Sequence, residues 1–249
     1  MNTSLYDTEL PIRPEIISTQ SAALEHWASP GTWLTAVERT AVVEEVRRAR
    51  DADELPPWIA PSTVEGLIPD DHPLPSAAID MVWRVTNHLT TLSLEWYQDL
   101  VPSALEAGEY VELIGLIAQV NLVDHFADGL SLPRPRLRQP IDGEPTRTTP
   151  AAAAVSTHWV PTAPIADDSW QPVDHPEDTG LSAAAGPPNV RRALSLVPPE
   201  RVMQWVLIDA HYVPGGARGR DFAESVWSLQ RPQVELIGAR TSALNECFY

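Results

Sequence analysis

The segment YVELIGLIAQVNLVDHFADGL, residues 110–130, decides the fold. It runs for twenty-one residues without proline, and it is apolar around most of a helical circumference, with Glu112 as the one acid in its first half. That pattern predicts a central helix packed on several sides. Upstream, Leu34, Val37, Ala41, Val42, Val46 and Ala49 recur at spacings of three to four. They predict an amphipathic helix, with Thr35 as N-cap and Glu38 completing a capping box. Ile79, Val82, Trp83 and Val85 place another helix over Ser76 to Asn87, and a further one starts near Ser93. Leu55 to Pro75 is rich in Pro and Asp and reads as a loop. Between Ser131 and Val190 eleven prolines interrupt the chain. No long helix survives that density, so an extended connector lying over the helical parts is expected. Helical character returns at Asn189, and Pro198-Pro199-Glu200 opens a helix through Val202, Trp205, Val206 and Ile208.

Composition narrows the function. The chain has 249 residues, 34 acidic against 17 basic, with a net charge of −17 and no Lys, so every base is Arg. Such a charge repels phosphate backbones and anionic lipid, which argues against nucleic-acid and membrane partners. Without Lys there is neither Schiff-base chemistry nor a P-loop. The N-terminus lacks a secretory pattern and no run of eighteen apolar residues occurs, so a cytoplasmic protein is expected. His72, His88, His158, His175 and His211 form no pair at metal-ligand spacing, and neither a metal nor a cofactor is expected. The Gly215–Arg220 stretch follows no strand pattern and reads as a loop rather than a phosphate cradle. Cys247 is the only cysteine; no disulfide can form within this sequence.

One internal repeat carries the functional reading. Val111-Glu112-Leu113-Ile114-Gly115 recurs as Val234-Glu235-Leu236-Ile237-Gly238, and each shared Glu is followed twelve residues later by Asp124 in one copy and Cys247 in the other. The ending QVELIGARTSALNECFY resembles the motif of the alkylhydroperoxidase D-like, carboxymuconolactone decarboxylase-type family. There a Glu precedes by twelve residues the first Cys of a Cys-x-x-Cys pair, which a His follows. The segments WLTAVERTAVVEEVRRARD, LPSAAIDMVWRVTNHLTTLSLEWYQDLV and YVELIGLIAQVNLVDHFADGLSLP, with GEPTR and HWVP of the connector, are similar to two-repeat members of that family.

The resemblance implies an all-α fold of two related helical repeats joined by a proline-rich connector. Residues 1–19 form an N-terminal arm, 20–130 a redox-silent first repeat with no cysteine at Ala52–Leu55, 131–187 the connector, and 188–249 an incomplete second repeat. It implies an antioxidant oxidoreductase of the thiol peroxidase type, with Cys247 and Glu235 as catalytic residues and Glu112, Asp124 and His125 as a vestigial counterpart. The substrate would be a small hydroperoxide, the reductant a dithiol protein and the assembly a homo-oligomer. In the family the second Cys attacks and the first resolves, so Cys247 is the resolving thiol. The attacking Cys and the His fall after Tyr249, which predicts a chain that lacks turnover by itself, through truncation or through degeneration of the motif.

A thiol reacts as thiolate, which an N-terminal helix position favours. Asn245 is expected as the N-cap that places Cys247 in a helix's first turn. Twelve residues of unbroken helix rise about 18 Å, so Glu235 can accept a proton near Cys247 only if the helix breaks before Asn245. Glu112 has a second reading, a structural ion pair with an Arg, and for Asp124-His125 the second reading is a solvated helix end. Two other functions remain open on the same scaffold: a cofactor-free lyase acting on a small organic acid, and a non-catalytic oligomerisation or binding module.

Overall fold

The computed structural model describes residues 5–156, 158–165, 189–212, 228–245 and 247. Among them are eight α-helices and no strand: α1 (Pro14–Trp27), α2 (Ala36–Asp51), α3 (Ser76–Asn87), α4 (Leu94–Leu100), α5 (Ala107–Gly129), α6 (Asn189–Arg192), α7 (Pro198–His211) and α8 (Arg231–Leu244). The chain is helical, as its periodicities predict. No helix among the described residues is long and apolar enough to cross a membrane.

Local chemistry sets the helix starts. The Thr35 hydroxyl accepts from the Glu38 N–H at 3.3 Å, and the Glu38 carboxylate accepts from the Thr35 N–H at 2.7 Å, closing the expected capping box of α2. Ser93 caps α4 through the Trp96 N–H. Pro14 and Pro198 open α1 and α7, where a missing N–H costs nothing.

α5 is the hub. It packs against α2, α3, α7 and α1, and Leu113, Leu116, Val120 and Val123 on it are fully buried. Val42 and Val46 of α2 and Ile79 and Val82 of α3 complete one continuous core, and Leu207 of α7 belongs to it as well. Within the part of the chain read as a second repeat, α7 thus shares the core of the first, whereas α8 has no buried residue. The described part of the connector contains no helix before α6. It runs over the α1–α2 corner, donating from the Ile141 and Arg147 N–H groups to the carbonyls of Ala28 and Thr32, both at 2.8 Å.

Two expectations need correction. The segment read as an arm, residues 1–19, already contains the start of α1. Its apolar stripe, Ile16, Ala23, Leu24 and Trp27, is buried, and Tyr6 ahead of it is buried with its hydroxyl on Gln20 at 2.6 Å. Val37, counted on the inner face of α2, is exposed, because the buried face is set by Val42, Val43 and Val46 one step round the helix. The Gly215–Arg220 loop and His175 lie outside the described residues, as does the connector from 166 to 188.

Candidate functional site

The polar centre of the molecule lies where α1, α2, α5 and α7 meet. Arg39 of α2 has no exposed surface, and neither do Glu112 of α5 and Glu200 of α7. Arg39 Nη1 donates to Glu112 Oε1 and, at 2.8 Å, to Glu200 Oε1. Its Nη2 donates to the His26 carbonyl at 3.1 Å. The other oxygen of Glu112 accepts from the Trp33 N–H at 2.6 Å, in the turn between α1 and α2. Glu200 is held on its remaining sides by His26 Nε2 at 2.9 Å and by Gln119 Nε2 at 2.8 Å, and Gln119 accepts in turn from the Trp27 indole at 2.9 Å. Two glycines make the room. A Cβ on Gly31 would lie 1.8 Å from Glu112 Oε1, and one on Gly115 would lie 2.8 Å from the Glu200 Cβ.

Two carboxylates share one guanidinium, and their proton affinities separate accordingly. Burial pushes Glu200 up, but Arg39 and His26 outweigh it and hold the acid down at about 2. Burial dominates at Glu112 and raises it above the usual carboxylate range, with Arg39 opposing. Glu200 is therefore the anion of the cluster, and Glu112 the carboxyl that most readily carries a proton. Among the described residues of the cluster, His26 is the one with an edge to solvent, its side chain being 22% exposed. His26, Arg39, Gln119 and Glu200 were absent from the sequence-based site. Glu200 reads there only as an acid favoured by a helix N-terminus, since periodicity does not say what a buried face will meet.

The remaining expected residues are spread over the molecule. Asp124 is fully buried and forked by Arg47, with Nε and Nη2 each 2.8 Å from a carboxylate oxygen. It is a bidentate ion pair rather than a solvated helix end. His125 next to it is exposed and lies 3.1 Å from Arg50 Nη2, and burial of its ring together with Arg50 lowers its proton affinity. Glu235 is half-buried in α8 and takes hydrogen bonds from the Tyr212 hydroxyl and from Arg231 Nε. Burial and that contact push the Tyr212 hydroxyl up to about 12, so it remains a proton donor at neutral pH.

Cys247 is exposed. Asn245 is the C-cap of α8 and not the N-cap of a following helix, and the Cys247 N–H donates back to the Ser242 carbonyl at 2.9 Å. The thiol therefore faces a helix end that presents carbonyls, not the unpaired N–H groups that favour an anion. α8 is also unbroken from Glu235 to Leu244. Nine residues of rise separate those two by about 14 Å, and the two proposed catalytic residues are not brought together. Phe248 and Tyr249 lie outside the described residues.

Chemically, the buried cluster fixes charge: Arg39 stands between the two carboxyl groups, and His26 reaches Glu200 alone. The only thiol stands apart from it on the surface. In comparisons with protein-family models, with curated proteins and with solved structures, no match to this chain was found.

Proposed function

We propose that the chain is built on the alkylhydroperoxidase D-like scaffold, as two related helical repeats, and serves thiol-dependent, peroxidase-type reduction of hydroperoxides. The carrying observation is the common use of the two VELIG segments. In α5, Gly115 makes room for Glu200 of α7 while Glu112 meets the Arg39 that Glu200 also binds. In α8, Gly238 faces the Tyr212 hydroxyl, 3.2 Å from where a Cβ would sit, while Glu235 accepts from that same hydroxyl. In each copy the Glu accepts from a side chain of another helical segment and the Gly lies against one: Arg39 and Glu200 respectively for the first copy, Tyr212 in both roles for the second. Twelve residues after each Glu, the first copy has Asp124 locked by Arg47 and the second has an exposed thiol, which divides the labour between a structural and a chemical half.

Reduction of a hydroperoxide consumes two thiols. A thiolate sulfur attacks the terminal peroxide oxygen, the O–O bond breaks, and the alkoxide takes a proton and leaves as alcohol. The sulfenic acid left behind is attacked by a second thiolate, a disulfide forms, and hydroxide leaves as water after taking a proton. A dithiol partner protein returns the disulfide to thiols by exchange and is itself oxidised. Cys247 supplies one of the two sulfurs, as the resolving thiol; the attacking sulfur has to come from a second thiol, since Cys247 is the only cysteine of these 249 residues. Glu235 holds Tyr212 against α8 and acts on protons near Cys247 only when the end of α8 unwinds.

The test is hydroperoxide consumption by the protein expressed from its own gene, with a dithiol reductant, beside Cys247→Ser. Consumption that disappears in the variant is expected, and consumption indifferent to the loss of Cys247 would refute the reading. Turnover of a small organic acid that survives alkylation of Cys247 would instead identify the lyase. A further reading, an oligomerisation module without turnover, draws on α8, where Leu236 and Ile237 are 71% and 56% exposed. It predicts a concentration-dependent oligomer that Leu236→Glu disperses, with no hydroperoxide consumed.

A further inference from the structure

We propose that the pocket between residues 55–61 and the α3–α4 corner is a binding site for a small planar aromatic carboxylate, independent of the thiol at Cys247. Its frame is pinned at three points. Arg84 Nη1 donates to the Pro57 carbonyl at 2.5 Å, His88 Nε2 lies 2.6 Å from the Leu55 carbonyl, and the Ser62 N–H and hydroxyl donate to Asp80 at 2.9 and 2.6 Å. These contacts hold the loop against α3 and leave a cavity of about 160 Å³ beneath it. A dry cavity of about 150 Å³ accommodates benzene, so one six-membered ring with a small substituent is the right size.

The walls select the chemistry. Trp58, Trp83 and Trp96 all line the cavity. Trp83 is buried and donates its indole N–H to Glu45, while Trp58 is 80% exposed at the mouth, where a bound ring would cover it. Three indoles in one small cavity favour a flat aromatic guest, through the offset and edge-to-face contacts that aromatic pairs prefer.

The charge of the guest follows from Arg84. Its Nε and Nη2 donate to the hydroxyl and carbonyl of Thr91 at 2.7 and 3.0 Å, and with the Pro57 bond these use three of the five guanidinium N–H groups. One N–H on each terminal nitrogen is left for a carboxylate. The one acid of the lining, Asp80, is turned to the loop by Ser62, which donates to both of its oxygens; its charge offsets that of Arg84, so the preference for a carboxylate over an ammonium rests on the two N–H groups that Arg84 still offers. Glu54 approaches His88 Nδ1 only to 3.5 Å and is mostly exposed, so it is the opposing anion nearest the rim.

Benzoate is the probe, with benzyl alcohol and benzylamine as neutral and cationic counterparts of similar shape. The assay is tryptophan fluorescence and calorimetry at physiological salt, where the Debye length of about 8 Å screens the net negative charge of the protein. A saturable benzoate signal is expected with a Kd of about 1 mM or tighter, in keeping with nine heavy atoms at ordinary ligand efficiency. Benzylamine should bind at least tenfold more weakly. Trp58→Ala, at an exposed position whose loss leaves the fold intact, should weaken benzoate at least fivefold with unchanged helical circular dichroism. Arg84→Gln should abolish the preference for benzoate over benzyl alcohol. No saturation by 10 mM benzoate, equal affinity in Trp58→Ala, or benzylamine binding as tightly as benzoate would each overturn the assignment.

Discussion

Replacing Arg39 by Met tests the role of the buried cluster most directly. Met matches much of the length and volume of the Arg stem, so little cavity opens and the chief loss is the charge. Glu112 and Glu200 are then left facing each other with no exposed surface, and only the Trp33 N–H, His26 and Gln119 remain as partners. Removing one partner of a buried ion pair costs about 3–5 kcal/mol, a large share of the roughly 5–15 kcal/mol that hold a typical domain together. Protonation sets a ceiling on that cost. Glu112 is already raised by burial, so it takes up a proton first once Arg39 is gone. The cost of protonating it falls by about 1.4 kcal/mol for each pH unit of acidification. Urea unfolding followed by tryptophan fluorescence, compared at constant m-value, should give a loss of about 3–5 kcal/mol at pH 7 and one smaller by about 2–3 kcal/mol at pH 5. Adding Glu112→Gln to Arg39→Met should recover about 1–3 kcal/mol at pH 7, because the amide mimics the protonated acid. A loss below about 1 kcal/mol at pH 7, or one that grows on going to pH 5, would refute the reasoning.

Further consequences are testable by the same methods. Gly31→Ala places a Cβ 1.8 Å from Glu112 Oε1 and 2.3 Å from Arg39 Nη1, and overpacking should cost about 1–3 kcal/mol, read as a lower melting temperature. Gly129, with nothing within 4 Å of where a Cβ would sit, is the control whose Ala variant should melt no lower than the native chain. For acid sensitivity, Glu200 lies at about 2, below its ordinary 4.5; its stabilisation is therefore present above about pH 4.5 and lost as pH falls toward 2. Glu112, being raised, acts with the opposite sign and loses its contribution as pH rises through its own value. Urea midpoints taken from pH 6 down to 2.5 should fall for the native chain, and Glu200→Gln should flatten that slope. Asp124→Asn breaks the fork with Arg47 and should cost about 2–3 kcal/mol. Cys247→Ser, on the surface, should change stability by less than about 0.5 kcal/mol, and iodoacetamide should label Cys247 completely in the native protein.

The helices were legible where local chemistry decides them. The span of α3 over Ser76–Asn87, the Thr35–Glu38 capping box, the start of α4 after Ser93 and the proline that opens α7 all follow from propensity, capping and periodicity. α1 was harder to read, because its start at Pro14 depends on a buried stripe whose partner, α7, lies some 190 residues away in the sequence. The site was legible only in part. Glu112 stood out as an acid in an apolar run, but its partners Arg39 and Glu200 are surface-like residues by pattern, and contacts across 73 and 161 residues turned them inward. Asn245 failed as an N-cap for a local reason: its N–H groups bond back into α8, so the same residue that often starts a helix here ends one.

By itself the sequence determined an all-helical chain, a central apolar helix at residues 110–130, a connector too rich in proline to be helical, and a duplicated VELIG segment whose two copies lead to Asp124 and Cys247. Helix propensity, proline and hydrophobic period act over a few residues, and those are the scales on which these features are written. Tertiary structure alone decided that two carboxylates share Arg39, that Asp124 is neutralised by Arg47, and that Cys247 lies on the surface beyond the end of α8, away from Glu235. The protonation state and reach of a side chain depend on which distant groups exclude water around it, and that is fixed only when α1, α2, α5 and α7 close on one another.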